Sequence, residues 1–172
     1  DPRLSLRWEV SETQAIKSTV GLYSKAPDPA EANDIFGNPD LSFERSIHYV
    51  LGWEARWADR WETDVQLYHK TLYDLVVDDD VETYSNAGRG RSRGLELFLR
   101  RNLTDRAFGW LSYTYSETET RDNEDEGWHP ASYDQSHIAQ LVGSYKVTAQ
   151  WELGTRVKYH TGNTYTKVSD AV

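Results

Sequence analysis

Along most of this chain apolar and polar residues alternate one by one, and the alternating segments are joined by connections that are short and long in turn. Leu4, Leu6, Trp8 and Val10 interleave with Arg3, Ser5, Arg7 and Glu9. Successive side chains of a strand point to opposite faces, so a period of two makes a strand with one apolar and one polar face, and no helix fits it. The pattern returns at Tyr49 to Trp57, Trp61 to Tyr68, Leu95 to Arg100, Leu111 to Ser116, Ala139 to Val147 and Trp151 to His160. With the less regular stretch from Ile16 to Lys25, it predicts about eight strands.

The rhythm of the connections adds a second constraint. Strands are joined in pairs by short polar turns near Ser11 to Gln14, Ala58 to Arg60, Asn102 to Arg106 and Thr148 to Gln150. Between the pairs lie three stretches rich in Asp, Glu, Asn, Gly and Pro, expected as long loops: Ala26 to Ser42, Val77 to Ser92 and Glu117 to Gln135. A compact domain rarely keeps several structureless loops of that length. Strict alternation of short and long puts all the long loops at one end of the sheet, as in a transmembrane barrel with short periplasmic turns and long external loops.

Charge and aromatic placement favour the same architecture. The polar faces carry full charges of both signs, among them Glu62 and Asp64, and Glu152, Arg156 and Lys158. An apolar core between two sheets could not accept them unpaired. Trp8, Trp53, Trp57, Trp61, Tyr145 and Trp151 gather at the short-turn ends, where an interfacial girdle lies. The chain is hydrophilic on average, with a mean hydropathy of −0.76, and its formal charge of −9 argues against a general nucleic-acid partner. It has no Cys, which excludes a disulfide scaffold, a thiol nucleophile and Cys-based metal sites, and no apolar run long enough for a spanning helix. The lack of Met, at position 1 as elsewhere, reads as an excised or processed chain.

Several motifs, in order, resemble a known family. Asn38-Pro39-Asp40-Leu41, then Glu44-Arg45-Ser46 and Tyr49-Val50-Leu51-Gly52, resembles a signature in the barrel of TonB-dependent outer-membrane receptors, with Phe43 where that family usually has Pro. Asn86-Ala87-Gly88 leading to Arg93-Gly94-Leu95-Glu96 is similar to its next strand entry. Leu103-Thr104-Asp105-Arg106 with Gly109 to Ser116 resembles a following hairpin, and Tyr133 to His137 and Gly162 to Tyr165 resemble two further elements. The resemblance implies an all-β, antiparallel transmembrane barrel of about 22 strands, of which this chain supplies about eight. It further implies a non-enzymatic receptor for active uptake of a scarce nutrient, such as a ferric siderophore, in the outer membrane of a Gram-negative cell. The implied partners are outer-membrane lipid and lipopolysaccharide, a small nutrient ligand, and TonB–ExbB–ExbD acting through a plug. This chain shows no plug and no TonB box, so residues 1–172 are expected to be part of one barrel domain, from its second half, not closed within the chain.

Individual residues carry more limited readings. Asn38, Pro39, Leu41, Glu44, Gly94 and Glu96 are structural motif positions, with Glu96 facing the lumen where an Arg of a neighbouring strand or of the plug could meet it. Gly88 to Gly94 fails as a dinucleotide fingerprint, because Arg93 replaces the third glycine and no helix follows. Arg89 and Arg91 are instead candidates for lipopolysaccharide phosphates or an anionic chelate at the external rim. Trp128 and His129, on a long external loop, are candidate ligand contacts. Asp78 to Asp80 and Asp122 to Glu126 read as solvated acidic loops, since position twelve of the second stretch is Tyr133 where a calcium loop needs Glu. The five His show no metal-ligand spacing, no nucleophile elbow occurs, and neither a cofactor, a metal nor a catalytic group is expected. The rival reading is a complete small eight-stranded outer-membrane barrel, structural or adhesive, with a side-chain-filled interior. A soluble carbohydrate-binding sandwich is a third.

Overall fold

The computed structural model describes residues 1–58, 60–79, 81–104 and 106–163. It forms a single antiparallel sheet: β1 (Arg3–Ser11), β2 (Gln14–Lys25), β3 (Glu44–Trp57), β4 (Trp61–Asp79), β5 (Thr83–Arg101), β6 (Ala107–Arg121), the two-residue β7 (His129–Pro130), β8 (His137–Lys146) and β9 (Glu152–His160). Strands pair in chain order from β1 to β6, then β8 and β9, with β7 beside β6. The outermost strands, β1 and β9, do not pair with each other, so the sheet does not close into the small eight-stranded barrel. No second sheet packs on it among the described residues, which removes the sandwich.

The register keeps every apolar set on one face. One row runs Trp8, Ile16, Trp53, Val65, Leu97, Tyr113, Ala139 and Tyr159, and the next runs Leu6, Ser18, Leu51, Leu67, Leu95, Tyr115 and His137. This face is left bare. Leu6 is 64% exposed, Trp8 66% and Leu153 64%, whereas the buried apolar residues are Ala15, Ala55, Ala107 and Ala131. Burying one large apolar side chain is worth about 1.5–3 kcal/mol, so this belt would forgo tens of kcal/mol in water. From the Trp57–Trp61 row to the Tyr49–His69 row the belt spans about 26 Å along the strands, roughly 20 Å once they tilt. That approaches the apolar band of an outer-membrane barrel, about 25 Å tall.

The four short turns stand where the alternation put them, with Ser11 opposite Gln14 and Trp57 opposite Trp61. The expected loop from Val77 to Ser92 does not exist. β4 runs on to Asp79 and β5 starts at Thr83, making a tall hairpin. Its upper part escaped the pattern because the β4–β5 register shifts between Leu72 and Leu75 and again before Val77, around Asp74 in the left-handed region at φ 57°. Asp tolerates that conformation better than most residues. The expected loop from Glu117 to Gln135 is likewise shortened, since β6 continues to Arg121 and β7 pairs Pro130 with Glu119. Of the quoted motifs, Asp105, Thr164 and Tyr165 lie outside the described residues, as do Asp80 and the stretch 168–172.

Candidate functional site

Asn38 and Asn86 tie the external elements together. Asn38 Nδ2 donates to the Tyr84 carbonyl (2.8 Å) and its Oδ1 accepts from Asp40 N, while Asn86 Oδ1 accepts from Ser42 N (2.8 Å) and Asn86 Nδ2 donates to the Asp74 carbonyl (2.7 Å). The loop between β2 and β3 is thereby fastened to the β4–β5 hairpin, and the kink at Asp74 is capped. Glu44 accepts from Lys25 Nζ (2.8 Å) and from Val76 N (3.2 Å), holding the loop's other end. Leu41 N donates to the Asn38 carbonyl across Pro39. Gly94 lets β5 and β6 close: an added Cβ would stand 2.3 Å from the Tyr115 carbonyl oxygen.

The polar face bears two distinct zones. Towards the short turns, Lys17 Nζ donates to Asp64 (2.9 Å) and Glu54, Arg7 pairs with Glu54, and Glu62 accepts from Arg100 (2.6 Å) and Asn102 (2.9 Å). Glu96 lies on the same face in the row of Gln66 and Thr114, and it makes no ion pair among the described residues, so the expected Arg partner on a neighbouring strand is not there. Further up, a single register row carries Arg3, Gly21, His48, Lys70, Ser92 and Thr118. Tyr23 stacks on His48 (4.2 Å), the Arg3 guanidinium lies over the Tyr23 ring (4.3 Å), and Lys70 sits over Tyr68 (4.9 Å). Basic heads and aromatic rings on one wall suit an anionic, ring-bearing ligand. Sequence reading missed this cluster; only the pairing register brings residues so far apart into one row.

The four rim candidates separate between the two faces. Arg89, Arg91 and Arg93 share the parity of Leu95, and so stand on the apolar side, above the belt. Arg91 Nε donates to Glu119 (2.7 Å), Arg93 pairs with Glu117 (2.6 Å), and Arg89 approaches Asp74 (3.4 Å). Trp128 packs under two guanidiniums, Arg91 at 4.4 Å and Arg121 at 5.0 Å. His129 pairs with Thr120 on the polar-face parity and lines a recess with Asp122, Ser132 and Asp134. Ligating atoms of Asp122, Glu126 and His129 lie within 4.8 Å of one another, all exposed, a grouping the sequence spacing did not suggest. Asp79 Oδ1 accepts from Val81 N (2.8 Å) and Glu82 N (3.1 Å), and these two bonds hold its carboxyl below the usual range.

Comparison with known proteins agrees with this geometry. A family model described as "TonB dependent receptor-like, beta-barrel" matches residues 1–172. Among solved structures, the siderophore receptor PirA from Pseudomonas aeruginosa superposes with a TM-score of 0.72 at 19% identity, over 95% of this chain and 31% of that one. The FrpB iron transporter from Neisseria meningitidis gives 0.72 at 15% identity, over 90% and 26%. The outer-membrane ferripyoverdine receptor of Pseudomonas aeruginosa, bound to ferripyoverdine, gives 0.71 at 12% identity, over 92% and 25%. The chain thus spans about a quarter to a third of the length of these structures.

Proposed function

The chain belongs to the TonB-dependent receptor-like β-barrel family, and from that membership we propose that it forms part of the wall of an outer-membrane transporter for active uptake of a scarce nutrient, a ferric siderophore foremost. The observation that carries the reading is the register from Trp57 to Tyr49 and from Trp61 to His69, which keeps one bare apolar face and one charged face through the belt. Such a sheet needs lipid on one side and water on the other, and a closed barrel around a lumen supplies both. Residues 1–172 are one stretch of that barrel domain in a Gram-negative outer membrane. The parent protein works without enzymatic chemistry: it binds ligand on the external side and passes it inward when TonB–ExbB–ExbD act on a plug within the lumen.

On this reading the row of Arg3, His48 and Lys70, flanked by Tyr23 and Tyr68, faces the lumen in the external half and meets the anionic ferric chelate. His129 is the one rim candidate placed to join it. Glu96, which makes no ion pair among the described residues, is available to a basic residue of the plug. The test is uptake of iron-55 from ferric chelates by cells carrying the full-length receptor, with and without TonB. Accumulation that needs both proteins and falls on Lys70→Gln supports the reading; accumulation indifferent to TonB removes it.

A further inference from the structure

Between β6 and β7 the chain gathers one ring nitrogen and two carboxylates whose common placement the uptake reading does not require. Asp122 follows the last residue of β6, Glu126 lies in the connection, and His129 opens β7, where it pairs with Thr120. Ligating atoms of the three lie within 4.8 Å of one another. Two local features bring them together. The β6–β7 pairing sets His129 beside the strand end, and Asn123 Oδ1 accepts from Asp125 N (3.0 Å) and Glu126 N (3.1 Å), which folds the connection back on itself.

The surroundings ask for a cation. From Asp122 to Glu126 the connection carries four carboxylates and no basic residue, and neither Asp122 nor Glu126 forms an ion pair among the described residues. By contrast, Glu117 and Glu119 just below are paired with Arg93 and Arg91. Two carboxylates held close together disfavour each other's charge unless something positive lies between them. The His129 ring is already oriented, because Nδ1 lies 3.4 Å from the Pro130 carbonyl oxygen. A proton engaged there leaves the Nε2 lone pair for a metal, the way a metal-bound imidazole is usually held. Asn123 Nδ2 donates to Glu126 Oε1 (2.7 Å) and leaves Oε2 uncommitted. Independently of these bonds, Asp122 and His129 lie on the wall of a recess of about 960 Å³, shared with Thr120, Ser132, Asp134 and Asn163.

The donor set selects the ion. Calcium and magnesium take oxygen ligands, whereas one imidazole nitrogen with two carboxylates suits zinc. Zinc bonds of about 2.0–2.1 Å in a tetrahedron put the ligating atoms about 3.3 Å apart. The present separations therefore need to close by at most about 1.5 Å, which exposed side chains on a connection can do by turning. We propose that Asp122, Glu126 and His129 bind one zinc ion, with its fourth position open to water in the recess. The ion staples the connection to the end of β6 and holds β7, whose own pairing covers only two positions.

The test uses the full-length receptor in uncharged detergent, stripped with chelator and titrated with zinc, cobalt(II) and calcium ions in turn. Losing even a residue that only supports a metal ligand costs 10- to 100-fold in affinity, so losing a ligand should cost at least about tenfold. Wild type should bind one zinc ion at least about tenfold more tightly than Asp122→Asn, Glu126→Gln or His129→Ala does. Cobalt should give a visible absorption band that zinc abolishes and that His129→Ala lacks, and excess calcium should not displace zinc. Amide exchange over residues 122–130 should slow on zinc addition in wild type and stay unchanged in His129→Ala. Equal zinc binding by wild type and His129→Ala, displacement of zinc by calcium, or exchange indifferent to zinc in wild type overturns the site. None of these readouts involves ferric chelate or TonB. A receptor that binds zinc here yet imports nothing loses the uptake reading and keeps this one.

Discussion

Replacing Gly94 with Ala should destabilise the wall by about 2–4 kcal/mol, although the change adds one methyl group. An ideal Cβ at this position falls 2.3 Å from the Tyr115 carbonyl oxygen and 2.6 Å from the Tyr68 ring end. Ordinary contact begins near 3.4 Å, so the obstruction by backbone is about 1 Å deep. Tyr68 can swing aside, but then its hydroxyl gives up the bond to Ser116 Oγ (2.9 Å), which is worth about 0.5–1.5 kcal/mol. The Tyr115 carbonyl cannot swing, so β5 and β6 must part locally, an overpacking cost of about 1–3 kcal/mol. Gly143 is the matched control: a Cβ there meets only Phe108 O and Thr155 Cγ2, both at 3.8 Å. Gly143→Ala should be neutral or stabilising by up to about 1 kcal/mol, because Ala loses less backbone freedom on folding. The assay is the urea midpoint of the detergent-solubilised full-length receptor, converted through an unchanged m-value. If Gly94→Ala proves as mild as Gly143→Ala, the close approach of the two strands is not what the glycine is for.

Three further outcomes follow from the same geometry. Leu97→Arg, in the middle of the belt, should cost about 2–4 kcal/mol of bilayer-inserted stability, while Glu96→Arg, one residue away on the polar face, should stay near neutral; the comparison is of folded fractions in lipid vesicles. A double-mutant cycle on Lys17 and Asp64 should give a coupling of about 0.5–1 kcal/mol, as expected of a partly exposed pair, and a coupling near zero would mean the contact is incidental. Asp79 holds a depressed pKa through Val81 and Glu82 amides, so its contribution to the hairpin tip is complete above the ordinary carboxylate pKa and is lost as pH falls through the lower, folded value. Amide exchange at Val81 and Glu82, corrected for intrinsic rate, should accordingly show protection falling with pH in wild type and no such dependence in Asp79→Ala.

What could be read from the sequence was whatever one bare face imposes. From Trp57 to Tyr49 and Trp61 to Leu67 each second residue must satisfy lipid, so the period of two survives and fixes both strands and their parity. Above the belt both faces of the β4–β5 hairpin meet water, and Asp78, Asp79, Thr83, Ser85 and Asn86 read as loop while forming strand. The shift at Leu72 to Leu75 also moves Leu75 and Val77 out of phase, which removes the last apolar clue. Pro130 conceals β7, since proline is a poor strand residue and pairing only two positions leaves no pattern. The functional surfaces were hidden for a different reason. Arg91 and Trp128 could be singled out as rim residues, but only the pairing with β6 puts Arg91 on the apolar side, with Trp128 stacked against it, and only register unites Arg3, His48 and Lys70.

The central claim is that one face of this sheet meets lipid and the other a water-filled lumen. The chain has no cysteine, so single substitutions report cleanly: Asp64→Cys, Gln66→Cys and Tyr68→Cys against Thr63→Cys, Val65→Cys and Leu67→Cys, each in the full-length receptor in vesicles. With any other thiols of the parent removed, a membrane-impermeant maleimide small enough to enter the lumen should label the first three and spare the second three. Labelling that ignores the period of two, or that favours positions 63, 65 and 67, would contradict the account.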